Sequence, residues 1–401
     1  MISVGDALGR ILGAAKPLGS ESAPLAEALG RVLAEPVVAR CTQPPDDLSA
    51  MDGYAVRAAD VAAAPVELRL IGEAPAGAPF AGLLEEGQAL RIFTGGALPG
   101  GADTIVIQEH TVAGAEGRVR IEKGAPAGRH IRRRGLDFKA GETVLEAGVR
   151  LGSRQIALAA AANVPELTVG RRPVVAILAT GSELAVPGSE LAPGHIANSN
   201  SPLLAAMVAR RGGVAKDLGT IGDDPQELKA ALEGLEGADM LVTIGGASVG
   251  DYDLVQETLS EIGLTVDFWK IAMRPGKPLI FGDFGGIPMI GLPGNPVSAA
   301  VCTIVYLLPA LDRMQGAAKS GLEEVTARLC GELPENGPRQ AYLRAGYAPG
   351  PDGVPEVTPM ALQDSSALKS FSDAGALIVR PPGAPALVAG DPVSVLPLED
   401  L

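Results

Sequence analysis

The chain has 401 residues, 47% hydrophobic, with only 3% aromatic residues and a formal charge of −14. That length predicts two to four domains with cores built from Ala, Val, Leu and Ile. The acidic balance excludes a general nucleic-acid role, so any anionic ligand must be held by local cations.

Three cysteines, Cys41, Cys302 and Cys330, are far apart and odd in number. They predict free thiols in a reducing compartment rather than a disulfide framework or a zinc site. His110, His130 and His195 are equally scattered, which favours oxygen ligands for any metal. Met1–Leu12 lacks the basic start and apolar core of a signal peptide. The longest apolar stretch, Val297–Leu311, is too short to span a bilayer and is interrupted by Pro309, so it reads as a buried helix. A cytoplasmic protein with no membrane partner is expected.

Residues 1–40 read as helical. Ser3 and Asp6 form a capping pair ahead of Ala7, Leu8, Ile11 and Leu12, and a second helix is expected over Leu25–Ala34. Between 41 and 140, Gly and Pro recur between β-like runs at Glu67–Ile71, Leu90–Phe93, Thr104–Gln108 and Arg118–Ile121. Three landmarks lie there: LSAMDGYAVR (48–57), RIFTGGALPGGADTIVIQE (91–109) and GRHIRRRGLDFKAGE (128–142). By itself Asp52-Gly53 is a tight turn, and Arg132–Arg134 is a solvated basic face. Residues 141–170 return to a helical pattern, with Ser153 capping Gln155–Ala162.

From 171 to 315 strand and helix alternate. Pro173–Ala179 is a continuous apolar run, as in a parallel strand covered on both faces. Ser201-Pro202 and Asp223-Asp224-Pro225 start helices, Met240–Ile244 is a strand, and Asp253–Ile262 is a helix. This is a doubly wound α/β pattern, whose ligands bind beyond the carboxyl ends of the strands. Glu183 and Asp251 each follow such an end. Residues 316–401 alternate as a small β-domain: VTARLCGEL, QAYLRAGYA, ALIVRPPG and GDPVSVLPL. Gln363-Asp364-Ser365-Ser366 falls in a loop.

The densest chemistry lies between Leu235 and Leu308. LVTIGGASVGDYD (241–253) ends a strand in Gly245-Gly246, followed by Ser248, Gly250, Asp251 and Asp253. Gly-rich turns of this kind aim backbone N–H groups at an anion. FWKIAMRPGKPLIFG (268–282) gathers Lys270, Arg274 and Lys277, and Pro275-Gly276 places them on a strand end and loop. In IGLPGNPVSAAVCTIVYLL (290–308), Asn295 fits an N-cap and Pro296 the first helical position, a ready anion site. No nucleophile motif built on Cys, His or Ser is present.

These strings together resemble the MoeA family, the molybdopterin molybdenumtransferases, which include the E domain of gephyrin. The resemblance rests on SAMDGYAVR, the TGGALP run, IRRRGLD, ATGSEL, GDDP, GGASVGDYD, RPGKP and GLPGNPVSA, and covers most of the chain. It implies a multidomain α/β plus β protein. An elongated, helical N-terminal domain would comprise 1–40 with 141–170, and a β-rich domain, 41–140, would be inserted into it. A doubly wound α/β molybdopterin-binding domain would span 171–315, and a small barrel-like β-domain 316–401. The implied reaction inserts molybdenum from molybdate into adenylylated molybdopterin and releases AMP. The implied catalytic residues are Asp52, Thr94, Asp137, Glu183 and Asp251. The implied substrate ligands are Gly245, Gly246, Ser248, Lys270, Arg274, Lys277, Pro293 and Pro296. Glu183, Asp223 and Asp251 would hold Mg²⁺ as hard oxygen ligands. A family-like reading would let Ser365 or Ser366 touch the pterin, but a plain turn is the favoured reading. Arg274 departs from the lysine that many members carry there.

A homodimer is implied too, with the insert of one subunit meeting its neighbour's α/β domain. The preceding adenylyltransferase and the recipient molybdoenzymes would be partners. Two other functions fit parts of the pattern: a non-catalytic molybdopterin-binding scaffold, and the adenylyltransferase activity of the single-domain relatives.

Overall fold

The computed structural model describes residues 1–222, 224–245, 261 and 263–399. Asp223, Gly246, Ser248, Gly250, Asp251, Asp253 and, apart from Glu261, the expected helix Asp253–Ile262 lie outside the described residues. Two compact units appear. One comprises Met1–Glu35, Ala147–Gly152 and Thr168–Leu401, and the other Pro36–Glu146 and Ser153–Leu167. The N-terminal pieces 1–40 and 141–170 are thus shared between both units.

Helix α1, Val4–Ala14, starts as its sequence requires: the Ser3 hydroxyl accepts from the Asp6 N–H at 3.1 Å. The helix expected over Leu25–Ala34 does not form. Only Leu25–Glu27 makes a 3-10 turn. The N–H groups of Gly30 and Leu33 donate to the carbonyls of Leu151 and Val149 instead, at 2.8 and 2.9 Å. Strand-like pairing with residues 148–151 has outbid local helix propensity.

In the second unit the β-like runs become a six-stranded sheet. Its strands are β1 Gly53–Val56, β2 Val66–Ala74, β3 Gln88–Ile92, β4 Thr104–Ile107, β5 Thr111–Ala113 and β6 Arg118–Ile121, in the order β4-β1-β3-β2-β6-β5. Residues 141–170 are less helical than their pattern suggests. Helix α2, Ser153–Ala161, is flanked by short strands at Thr143–Leu145 and Glu166–Gly170. Ser153 is the first residue of that helix.

The first unit holds the α/β layer. Strands β7 Val174–Thr180, β8 Val214–Ile221, β9 Met240–Ile244, β10 Leu264–Trp269, β12 Ile280–Phe284 and β13 Ile287–Leu292 form one sheet, ordered β8-β7-β9-β13-β12-β10. The short β11, Met273–Arg274, leaves it and joins the C-terminal strands. β8, β7, β9 and β13 are parallel, whereas β12 and β10 add an antiparallel edge. β7 and β9 are buried almost throughout, which explains their unbroken apolar runs, whereas β8 at the sheet edge is only partly covered. Helices α3, Asn200–Arg210, and α4, Pro225–Leu232, follow in sequence. The Asp224 carboxylate caps α4 by accepting from Gln226 N–H at 2.7 Å.

Helix α5, Pro296–Met314, is long and apolar enough to cross a membrane, yet 94% of its apolar window is buried inside the protein. It is a core helix, packed with α1 in the largest apolar cluster. Pro309 does not interrupt it. Residues Thr303–Leu307 widen into a π-turn, in which Leu308 N–H reaches back to Thr303 O. That extra residue accommodates the proline ring, which would otherwise meet the carbonyl four residues earlier.

The C-terminal strands are β14 Val325–Leu329, β15 Gln340–Ala348, β16 Glu356–Pro359, β17 Ala376–Arg380 and β18 Pro392–Pro397. They run β15-β16-β14-β18-β17, and β17 pairs back onto β15, which closes a small barrel. The strand β16 was not legible in the sequence, because it is only four residues long, follows Pro355 and ends in Pro359.

Candidate functional site

The structure gathers functional side chains in three places. The first lies in the second unit, where β1 follows Asp52 and β3 precedes Thr94. Asp52 Oδ1 accepts from the Thr94 N–H at 2.7 Å and from its hydroxyl at 2.8 Å. These bonds, with the Arg91 charge adding to them, hold the exposed Asp52 carboxyl below the usual carboxylate range. Arg91 sits between the rings of Tyr54 and Phe93, at 5.1 and 5.0 Å, and donates to Gly53 O and Gln108 Oε1. Asp137 is exposed, in the turn where its N–H donates to Gln43 O at 3.0 Å. Among the described residues, no hydrogen bond or ion pair joins it to Asp52. The arginine run is organised by a residue that the sequence reading passed over. Asp47 accepts from Arg133 Nη1 at 2.6 Å and from the Arg134 N–H at 2.9 Å. The Arg134 bond, then Arg133, lowers the Asp47 pKa.

The second place is a cavity of about 540 Å³ beyond the carboxyl ends of β7, β9 and β13. Thr180, Glu183, Asn198, Asn200, Gly245 and Pro293 line it, with the α5 start at Asn295-Pro296. Gly245 has φ +96°, and a Cβ there would meet Thr180 O at 2.3 Å. Only glycine allows these two strand ends to approach so closely. Asn198 is the true cap of α3. Its Oδ1 accepts from the N–H groups of Asn200 and Ser201, and its Nδ2 donates to Ser201 Oγ and Thr220 Oγ1. Asn200 Nδ2 donates to Gly294 O at 2.7 Å, tying the start of α3 to the turn before α5. The signal for both was present in Asn-Ser-Asn-Ser ahead of Pro202, a run of capping residues.

The third place, also about 540 Å³, is cationic: Arg274, Lys277, Arg339 and Arg344 face it together with Asp364 and Ser365. Arg344 is only 2% exposed. Its Nη2 donates to the carbonyls of Leu362 and Asp364 at 2.8 and 3.0 Å, and burial lowers its pKa. Asp364 is held ionised by the hydroxyl and then the N–H of Ser366. Pro278, Pro293 and Asn295 line both cavities, so the two share an edge. Ser365 lines the cationic cavity and Ser366 the other.

Two sequence expectations change here. Lys270 does not join Arg274 and Lys277. Its Nζ lies 3.2 Å from the centre of the Trp269 ring, and it lines neither cavity. The start of α5 is also less open to anions than its sequence suggests. Asn295 donates its side-chain amide to Ser365 Oγ at 3.0 Å rather than capping the helix, and Val297 N–H donates to Ser365 O at 3.0 Å. Pro296 has no N–H to offer. Arg339, one residue ahead of β15, and Arg344, hidden within the β-strand pattern QAYLRAGYA, add their charge to the cationic cavity instead.

Residues 2–163 match the model for the MoeA N-terminal region, domains I and II. Residues 176–313 match a probable molybdopterin binding domain, and 326–398 match the MoeA C-terminal region, domain IV. The chain belongs to the MoeA family. A molybdopterin molybdenumtransferase of Nostoc sp. is 38% identical over 380 residues, 92% of this chain and 86% of that protein. Molybdopterin molybdenumtransferase 2 of Mycobacterium tuberculosis is 40% identical over 332 residues, 80% of this chain and 82% of that protein. Among solved structures, a molybdopterin biosynthesis MoeA protein of Pyrococcus horikoshii is 33% identical, covers 99% of both chains and has a TM-score of 0.79. A second structure from that organism reaches a TM-score of 0.84 at 28% identity. In MoeA terms, Asp52, Thr94 and Asp137 fall within the N-terminal match. Glu183, Gly245, Arg274 and Lys277 fall within the molybdopterin-binding match, and Arg339 and Arg344 within the C-terminal one.

Proposed function

We propose that the chain is a molybdopterin molybdenumtransferase of molybdenum cofactor biosynthesis, which inserts molybdenum from molybdate into adenylylated molybdopterin and releases AMP. The observation that carries this reading is the pair of adjoining cavities, one set with four cations and the other at the strand ends. In the cationic cavity Arg274, Lys277 and Arg339 bind the tetrahedral oxyanion, while buried Arg344 holds the 362–364 loop as its wall. The neighbouring cavity receives the pterin, with Asn200 and Pro293 shaping its floor. During turnover water adds to phosphorus, the pyrophosphate P–O bond breaks, and AMP leaves. Asp52, locked in its ionised form by Thr94, contributes a fixed negative charge on the second unit, and Asp137 an exposed one.

Glu183 is an oxygen donor on the strand-end cavity, of the hard type that suits Mg²⁺. Its proposed co-ligands, Asp223 and Asp251, lie outside the described residues. No group of three candidate ligands occurs among the described residues. A bound Mg²⁺ would neutralise pyrophosphate charge there, and no step above is routed through it. Homodimerisation and a cytoplasmic location belong to the same reading, supported by a proposed residue set spread over both units and by three free thiols. So do hand-over from an adenylyltransferase and delivery to molybdoenzymes.

The test is AMP release from adenylylated molybdopterin, with and without molybdate. Stimulation by molybdate together with formation of metal-loaded pterin supports the assignment. Tight pterin binding without AMP release would favour the scaffold function instead.

A further inference from the structure

The loop that carries Arg274 and Lys277 is closed at its base, where Ile271 N–H donates to Lys277 O at 3.0 Å. One side is held by β11, whose Arg274 stands in register with Ala341 of β15. These bonds fix the ends of the loop but not the height of its tip, Pro275-Gly276. The tip rests on α5. Gly276 has φ +107°, and a Cβ added there would lie 2.5 Å from Cys302 Sγ, 3.0 Å from Met273 Cε and 3.1 Å from Met273 Sδ. Cys302 Sγ approaches Gly276 O at 3.8 Å, and the Tyr306 hydroxyl approaches Met273 Sδ at 3.5 Å. Cys302, Met273 and Tyr306 are fully buried. Tyr306 lies inside the π-turn, where the widened helix presents it one turn beyond Cys302.

We propose that Cys302 and Met273 are positioning residues for oxyanion binding: together they form a sulfur floor, braced by Tyr306, that sets the height of Gly276 and so the aim of Arg274 and Lys277. This rests on the cationic cavity being the oxyanion site. The physical case is one of packing. A soft thioether and a small thiol fill the space beneath a glycine with no gap for a methyl group. Burial drives the Cys302 thiol far above its ordinary pKa, so it acts by size rather than as a thiolate. A change in floor height moves two cations together relative to Arg339, which stands on a different element.

The experiment measures KM for molybdate, KM for the pterin, kcat and the thermal midpoint in six proteins. These are wild type, Gly276→Ala, Gly276→Ala with Cys302→Ala, Cys302→Met, Val301→Ala and Arg339→Ala. Gly276→Ala and Cys302→Met should each raise the molybdate KM about tenfold while the pterin KM stays within about twofold. Adding Cys302→Ala to Gly276→Ala should recover part of that loss, because it removes the nearest atom the new methyl meets while the positive φ and the Met273 contacts remain. Val301→Ala, a buried change one residue away, should lower the midpoint and leave both KM values alone. The proposal is overturned if Cys302→Met lowers the midpoint without changing the molybdate KM, or if the double variant is no better than Gly276→Ala. Should Gly276→Ala fail to fold, Cys302→Met alone decides. Arg339→Ala separates the two layers. If it leaves the molybdate KM unchanged, the cavity reading fails; if it raises that KM while Cys302→Met does not, only the floor fails.

Discussion

The Asp52–Thr94 pair shows what one short contact decides. Its two hydrogen bonds favour the ionised carboxylate, so the folded-state pKa lies below the unfolded one. By linkage, the stabilisation is fully present above the ordinary carboxylate pKa and is lost as pH falls through the lowered value. Thr94→Val keeps the backbone donor and removes the hydroxyl. It should move the Asp52 pKa part of the way back toward its ordinary value, as carboxyl NMR shifts in a pH titration would record. An unchanged pKa would mean that the hydroxyl bond adds nothing. Asp52-Gly53 was legible as a turn and Thr94-Gly95 as the end of a strand, but no local pattern says that these two places, 42 positions apart, bond to each other. Likewise, Arg133 and Arg134 read as a solvated run because Asp47, their partner, is 86 and 87 positions away.

At the scale of elements, helix ends and strand ends carry the site, and their restraints are measurable. Asp312 near the end of α5 is fully buried between Arg150 at 2.7 Å and Arg211 at 2.6 Å, and also accepts the Gly321 N–H. It joins the ends of α3 and α5 to the segment that displaced the expected 25–34 helix. Asp312→Ala strands two guanidinium groups and should cost about 3–5 kcal/mol, whereas removing the exposed Lys319–Glu323 pair should cost less than about 1 kcal/mol. Chemical denaturation of both variants checks the contrast; equal losses would refute it. Gly245→Ala tests the other end of the α/β layer. Its positive φ and the Thr180 carbonyl predict a loss of about 1–3 kcal/mol from strain alone. Periodicity revealed these elements wherever burial was one-sided or complete, as in β7 and β9. It failed for 25–34, where the backbone donors are claimed by residues more than 100 positions away. It failed again at Pro309, because a π-turn leaves no mark in a hydrophobic pattern.

For the whole molecule, the fold class was legible because motif strings and strand-helix alternation pointed the same way. The cationic cavity was half legible. RPGKP announces Arg274 and Lys277, but Arg339 and Arg344 come from the C-terminal barrel and arrive only through the β11–β15 pairing. The sequence also over-counted, since Lys270 turns to Trp269. Lys270→Ala should therefore leave molybdate affinity within about twofold, while Lys277→Ala and Arg339→Ala should each weaken it about tenfold or more, and increasingly with salt where the remaining cations are exposed. Oxyanion titration calorimetry on the three variants would order them; equal losses for Lys270 and Lys277 would restore the broader cation cluster. The assembly is tested separately. A homodimer predicts a sedimentation mass of twice the chain at assay concentrations, and a fully active monomer would refute it.

The proposed function puts the oxyanion in the cationic cavity. Crystals soaked in tungstate, whose metal scatters anomalously, test it most directly. A single strong anomalous peak is expected among Arg274, Lys277 and Arg339, lost in the Arg339→Ala protein. A peak confined to the Asp52–Thr94 region or beside Lys270, with the cationic cavity empty, would contradict it.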